Sequence, residues 1–329
     1  MIKKYYKDMD IARGIGIFLV VLGHSFPDSQ FNNSNFYAYI YKLIYSFHMP
    51  FFFIISGFFA YKIYEIENLK GYGSYVYKKI KRLMVPYFTV SLVAVPIKLY
   101  MNNFAARPVK LNSLIINILF YPLDIPIQYF WFIYTLFFIF VAAPIFSKIP
   151  VRMALLITLV LNLVFTKQVG LFYIYGIIHY LFYFFFGIYL RTVYDKWNNI
   201  ENRNKYIVIT VFSLFLITLN IFDVRKAIYP YYNLLTALLG SSIFLLVSQL
   251  MVNSSMGELF RRLGRYSYDV YLLSWFFQTG ARVLFYQMFK FNYSVVIVIM
   301  LFIGFMPILM SKLIFDRIPV LGKIFLGRK

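Results

Sequence analysis

An arginine and a histidine lie inside a strongly apolar stretch near the start of the chain, DIARGIGIFLVVLGHS, which covers residues 10–25. Eleven positions separate Arg13 from His24, and eleven steps along a helix come within about 20° of three full turns. The two side chains therefore share one helix face, about 16–17 Å apart along the axis. Arginine can bind an anion there, and uncharged histidine can act as a general base. The structural alternatives are an Arg13 that reaches lipid phosphates and a His24 that donates a hydrogen bond to a neighbouring helix.

Few other ionisable side chains lie in the apolar runs. His48, in SFHMPFFFIISG, precedes a proline that removes a helical hydrogen bond; it is a candidate supporting residue or a structural hydrogen-bonding group. His179, in YGIIHYLFYFFFGIYL, is predicted to be structural. Asp10 precedes Arg13 by three positions, which predicts an ion pair and makes Asp10 a candidate supporting residue.

A general base normally has a partner that orients it. Asp28 follows His24 by four positions, but the proline between them ends the helix, so His48 and a tyrosine hydroxyl are equal alternatives. Arg265 and Asp269, at i,i+4, predict a second local ion pair. No apolar run holds two metal ligands at helical spacing, so the sequence predicts no metal site.

The elements that position these residues are membrane helices. The chain has 329 residues, of which 61% are hydrophobic and only 14% are charged, whereas soluble domains carry about 25% charged residues. Apolar runs long enough to cross a bilayer recur along the chain and predict an all-α, polytopic membrane helix bundle with about ten transmembrane helices. The predicted spans are 10–26, 37–61, 83–101, 128–147, 151–167, 171–190, 205–222, 229–252, 267–289 and 293–314.

The net charge of +21 is explained by membrane topology. With the N-terminus inside, 23 of the 33 Lys and Arg residues fall in cytoplasmic segments and 6 fall in outer loops. Cytoplasmic loops are the ones rich in Lys and Arg, so both termini are predicted to be cytoplasmic in a multi-pass protein of the cell membrane. The basic excess also suits contact with anionic membrane lipids, and no nucleic-acid partner is predicted.

The chain is predicted to be one membrane domain, residues 1–329, with no appended soluble domain. No repeat or polar linker divides it, and PDSQFNN after the first apolar run is not a signal-peptide cleavage site. The lack of cysteine excludes a disulfide framework and a cysteine nucleophile. Any chemistry is therefore expected from groups within the bundle.

Two stretches, DIARGIGIFLVVLGHS and FHMPFFFIISGFF, resemble the opening of the acyltransferase-3 family, integral-membrane O-acyltransferases that modify cell-surface glycans. The similarity is greatest to the fucose 4-O-acetylase-like branch. The family hallmark, a basic residue and a histidine separated by ten residues in the first helix, is matched by Arg13 and His24. Weaker similarities are KIKRLMVPYF, YFWFIYTLFF, FFFGIYL and LGRYSYDVYLLSW. Where family members often have YLLH, this chain has YLLS, with Ser274.

This resemblance implies a function. It implies acyl-CoA, most simply acetyl-CoA, as a cytoplasmic co-substrate, and no metal. The implied acceptor is a hydroxyl of a surface glycan or lipid-linked saccharide on the outer side, with His24 as general base and Arg13 at the donor's diphosphate. Family members often carry Arg-x-x-Arg on the first cytoplasmic loop as an acyl-CoA contact. Here Lys79 and Arg82 occupy those positions and are implied to bind the nucleotide phosphates, although Lys79 lacks the bidentate fork of arginine. The alternative is that they are ordinary positive charges of a cytoplasmic loop.

Two other classes of function fit the composition. A transporter or flippase for a lipid-linked sugar could line its passage with the aromatic residues, which make up 22% of the chain. Many cation-coupled transporters keep carboxylates at the membrane midplane, and none is predicted there, which disfavours transport. The third class is a non-catalytic subunit of an envelope glycan machine. Turnover of acetyl-CoA by the purified protein separates an enzyme from both.

Overall fold

The computed structural model describes residues 5–26, 35–104, 108–166, 169–222 and 229–328, which form helices joined by short segments. No β-strand occurs in these ranges, which confirms the all-α prediction for them. The α-helices are α1 Lys7–Ser25, α2 Asn35–Tyr45, α3 His48–Phe58, α4 Leu69–Lys79, α5 Val85–Tyr100, α6 Leu111–Phe120, α7 Trp131–Ala142, α8 Val151–Val164, α9 Ile174–Thr192, α10 Tyr194–Asn198, α11 Asn202–Ile221, α12 Tyr231–Leu250, α13 Ser255–Arg265, α14 Ser267–Ala281, α15 Tyr293–Ile303, α16 Met306–Met310 and α17 Pro319–Leu326.

Short 3₁₀ and π segments extend several of these helices. The π segments are Ile80–Met84, Arg282–Met288 and Ser311–Phe315. The first makes α4 and α5 one continuous helix of 32 residues, Leu69–Tyr100. The 3₁₀ segments are Tyr61–Glu65, Asn102–Phe104, Gln128–Phe130, Ala143–Lys148 and Leu171–Tyr173.

Within the described ranges, seven helical segments of 20 to 32 residues are long and apolar enough to cross a membrane. They are Asn35–Glu65, Leu69–Tyr100, Gln128–Lys148, Leu171–Thr192, Asn202–Ile221, Tyr231–Leu250 and Tyr293–Phe315. The chain is therefore a multi-pass helical membrane protein. Seven such segments are fewer than the ten predicted spans. Part of the difference is that α1 carries four charged residues in its first two turns and that α8 has only 14 residues, so neither counts among the seven.

Exposed apolar side chains support this assignment. α11 exposes Ile207, Val211 and Leu214 to at least 54% each, although a soluble protein rarely exposes a contiguous apolar surface of this kind. Because lipid chains are as apolar as these residues, such a helix face is expected where a membrane protein contacts the lipid.

The described residues form two compact units. The first comprises residues 5–26, 35–61 and the described part of 182–267. The second comprises the described part of 62–181 together with 268–328. The predicted site residues of α1 and α3 belong to the first unit, and those of the Lys79–Arg82 segment belong to the second.

In the first unit, α1 is a buried helix. Met9, Ile11, Ala12, Ile17 and Val21 are each at most 2% exposed and lie on more than one face of the helix. A helix that is apolar all round is one that other helices surround. Arg13 and His24 are among the partly exposed residues of this otherwise buried element.

α13 packs backbone against backbone on the N-terminal half of α1. The Cβ of an alanine at Gly14 would lie 1.9 Å from the carbonyl oxygen of Phe260. Reciprocally, a Cβ at Gly264 would lie 1.9 Å from the carbonyl oxygen of Asp10. Only hydrogen atoms fit at these two contacts, so glycine is required at both positions for the helices to approach this closely. The contact supports the turn of α1 that carries Arg13.

α13 also carries a compact charge cluster outside the predicted spans. Glu258 accepts hydrogen bonds from Arg261 at 2.6 Å and from Arg262 at 3.0 Å. These hydrogen bonds lower the pKa of the Glu258 carboxyl to about 2. Ser254 caps the N-terminus of the helix through the backbone N–H of Gly257.

Candidate active site

α1 places Arg13 and His24 on one unbroken helix. The helix extends from Lys7 to Ser25, so no kink or cap interrupts the interval between the two residues. The predicted placement on one face at two depths, about 16–17 Å apart, follows from regular helix geometry. Both side chains are partly exposed, as groups that meet a ligand must be.

Arg13 forms the predicted ion pair with Asp10. Its Nη1 lies 3.2 Å from Asp10 Oδ1, and the arginine side chain is 35% exposed. The guanidinium also lies 4.1 Å from the centre of the Phe59 ring, a cation–π contact. Since a guanidinium has five N–H donors in a planar fork, the Asp10 contact at Nη1 is compatible with an additional anion.

His24 contacts a tyrosine from the next helix. The hydroxyl of Tyr45 lies 3.4 Å from His24 Nδ1, and the two rings meet edge to face at 6.2 Å. Of the partners predicted for His24, the structure thus shows a tyrosine hydroxyl. Asp28, the carboxylate considered as a partner, lies outside the described residues.

His48 contacts the same tyrosine. It is buried, 2% exposed, and its ring centre lies 4.6 Å from that of Tyr45. Its Nδ1 lies 2.9 Å from the carbonyl oxygen of Ile44, which only accepts, so Nδ1 carries the proton and donates it. His24, Tyr45 and His48 therefore form one contiguous group in the first unit.

In the second unit, Lys79 and Arg82 contact groups of their own unit. The Lys79 ammonium lies 3.3 Å from the centre of the Phe140 ring, and the Lys79 side chain is partly buried. Arg82 Nη1 donates to the carbonyl oxygen of Leu326 at 2.8 Å, while its guanidinium lies 4.5 Å from the centre of the Tyr268 ring. Binding of nucleotide phosphates by these two residues stays a prediction.

His179 makes the contacts expected of a structural residue. It is buried, and the Asn162 amide nitrogen lies 3.1 Å from its Nδ1 and 2.7 Å from its carbonyl oxygen. Its ring stacks on Tyr175 with the ring centres 5.3 Å apart. These contacts hold the ring in place within the second unit.

The partners of Asp269 differ from the sequence prediction. It accepts a hydrogen bond from Arg328 at 2.5 Å and from Ser311 at 2.8 Å. The i,i+4 spacing had indicated Arg265 as the partner. The arginine that pairs with Asp269 instead lies 59 residues along the chain.

The chemistry available at α1 is that of a base and an anion-binding group. Among the residues that the structure describes, no group of three His, Asp or Glu side chains is arranged to hold a metal ion. His24 can accept a proton, and Arg13 can hold an anion about three helical turns away. Such a pair suits a reaction between an elongated anionic substrate and a hydroxyl group.

Sequence reasoning did not single out Tyr45 by position. A signal was available, because Tyr41, Tyr45 and His48 follow one another at i, i+4 and i+7, the spacing of one helix face. In a chain with 31 tyrosines, however, such a stripe is common. In the structure, the contact between Tyr45 and His24 distinguishes this stripe from the others.

Comparison with known proteins supplies a family. A family model described as an acyltransferase domain matches residues 6–316. Neither a curated protein nor a solved structure matches the chain.

Proposed function

The chain belongs to the acyltransferase-3 family and is a membrane acyltransferase, and we propose that it moves an acyl group from acyl-CoA to a glycan hydroxyl. The proposed donor is cytoplasmic, with acetyl-CoA as the first choice. The proposed acceptor is a hydroxyl of a cell-surface or lipid-linked glycan on the outer side of the cell membrane. Acetyl transfer to a sugar is proposed because the first two apolar segments resemble those of the fucose 4-O-acetylase-like branch.

One observation carries this proposal: Arg13 and His24 lie, both partly exposed, on one unbroken and largely buried helix. Their separation of about 16–17 Å is close to the length of an extended pantetheine arm. Arg13 would bind the diphosphate at one end of the donor through charge-assisted hydrogen bonds. The thioester at the other end would then lie beside His24.

The proposed transfer is a general-base reaction. Uncharged His24 takes the proton of the acceptor hydroxyl as its oxygen attacks the thioester carbonyl carbon. A new C–O ester bond forms, the C–S bond breaks, and CoA leaves as the thiolate. The thiolate then takes the proton from the His24 imidazolium. The products are the acylated glycan and free CoA, and His24 is again uncharged.

Release of CoA from acetyl-CoA by the purified protein tests the proposal. A thiol reagent reports only free CoA here, because the chain itself has no cysteine. A panel of surface glycans serves as acceptors, with water as the background acceptor. We expect CoA release that depends on at least one glycan, and protein that binds the glycans without releasing CoA would contradict the proposal.

His24→Ala tests the role of the base. General-base removal costs about 10²–10⁴-fold in rate, and we expect that loss with folding and donor binding preserved. His24→Asn is the matched variant, because its amide can keep a hydrogen bond to Tyr45 but cannot accept the substrate proton. Near-normal turnover in either well-folded variant would show that His24 is structural.

A further inference from the structure

The phenol of Tyr45 contacts two histidines of the first unit. Its hydroxyl is 3.4 Å from His24 Nδ1, and its ring centre is 4.6 Å from that of His48. Tyr45 ends α2 and His48 begins α3, so the tyrosine sits at the junction of two helices that pack beside α1. A side chain in this place can determine how the His24 ring is oriented.

Besides His24, other neighbours hold the Tyr45 ring in its position. It stacks on Tyr41, with ring centres 3.9 Å apart and planes 26° from parallel. On the α1 side it lies against Gly23, where an added Cβ would be only 3.0 Å from Tyr45 Cε2. The ring also meets His48 edge to face, at 63°. The glycine lets the phenol approach the helix backbone one residue before His24.

His48 is itself held in one orientation. Its Nδ1–H donates to the carbonyl oxygen of Ile44 at 2.9 Å, and the ring is buried. This bond gives the Tyr45 ring a fixed surface to pack against. His48 therefore supports the tyrosine, and the tyrosine contacts His24.

The two nitrogens of an uncharged imidazole are unequal, because one carries the proton and the other the lone pair. If Nδ1–H of His24 donates to the Tyr45 hydroxyl oxygen, the lone pair stands on Nε2, which faces away from Tyr45. We propose that Tyr45 is a positioning residue: its hydroxyl oxygen accepts from Nδ1–H and so holds the His24 ring with Nε2 aimed at the acceptor hydroxyl. The inference rests on the proposed role of His24 as general base and adds the group that orients it.

Tyr45→Phe removes only the hydroxyl and tests the assignment. A neutral hydrogen bond contributes about 0.5–1.5 kcal/mol, so we expect kcat to fall about 3- to 10-fold. KM for both donor and acceptor should stay within about twofold, because in this proposal Tyr45 acts through His24 and not on the substrates. Tyr41→Phe is the matched control: it removes a hydroxyl from the ring stacked on Tyr45, and its kcat should stay within about twofold.

Gly23→Ala is the second variant, and it tests the positioning role of Tyr45 if Tyr45→Phe does not fold. It keeps the Tyr45 hydroxyl but displaces the ring by a few tenths of an ångström, which lengthens the hydroxyl–Nδ1 contact that is already 3.4 Å. We expect the same fall in kcat with KM unchanged. The two variants thus remove the contact by independent means.

The outcomes separate this inference from the proposed function. An inactive His24→Ala combined with wild-type kcat in Tyr45→Phe would overturn the positioning role and leave the function standing. A rise in KM without loss of kcat would instead make Tyr45 a substrate contact and equally overturn it. Full activity in His24→Ala would refute the proposed base itself.

Discussion

Replacing Gly14 by alanine should force α1 and α13 apart. The added Cβ would lie 1.9 Å from the carbonyl oxygen of Phe260, whereas real Cβ atoms essentially never approach closer than 3.0 Å. The two helices must therefore separate by about 1.1 Å at this point. No rotamer change can relieve the clash, because the opposing atom belongs to the backbone.

Two opposing terms set the size of the effect. Overpacking of a close contact costs about 1–3 kcal/mol, while alanine is about 1 kcal/mol better than glycine within a helix. Since backbone lies on both sides of the contact, the strain should be near its upper end, and we expect a net loss of about 1–2 kcal/mol. Gly264→Ala, whose Cβ meets the Asp10 carbonyl at the same 1.9 Å, should cost a similar amount.

Thermal unfolding of the purified variants in one detergent measures this effect. We expect Tm to fall by about 2–6 °C for Gly14→Ala. Gly73→Ala is the matched control, because it lies inside α4 with no atom within 4 Å of the added Cβ. It should keep or slightly raise Tm through its helix propensity. An equal Tm for Gly14→Ala and Gly73→Ala would refute the backbone contact between α1 and α13.

Three further predictions concern donor binding, pH and topology. Arg13→Ala should weaken acetyl-CoA binding about 10- to 100-fold by loss of a charge-assisted hydrogen bond and scarcely affect an acyl-pantetheine without the diphosphate. Equal damage with both donors in kinetic assays would show that Arg13 only braces the fold. The pKa of Glu258 is lowered from 4.5 to about 2 in the folded protein, so the carboxylate's contribution to stability should be complete above pH 4.5 and disappear as the pH falls towards 2. Acid unfolding of Glu258→Gln should lack that part of the pH dependence, and an acid transition equal to that of the wild type would contradict the prediction. A cysteine placed at Asn198 should be protected from an impermeant thiol reagent in intact cells, since that segment is predicted to be cytoplasmic; labelling from outside would reverse the whole orientation.

The sequence was sufficient wherever one helix decides the geometry. Arg13 and His24 share a face because α-helical rotation per residue is constant, and the Asp10–Arg13 pair at i,i+3 is present for the same reason. The all-α membrane class also follows from composition, since only helices satisfy their backbone hydrogen bonds within one apolar segment. None of these features depends on which helices pack against each other.

Contacts between distant segments were decided by the tertiary structure alone. Tyr45 meets His24 across 21 residues, and Asp269 pairs with Arg328 across 59 residues and not with Arg265 at i,i+4. A membrane helix that is apolar on every side carries no periodic pattern to show which face a neighbour covers. Which side chains meet there depends on how closely whole helices pack, as the backbone contact at Gly14 shows.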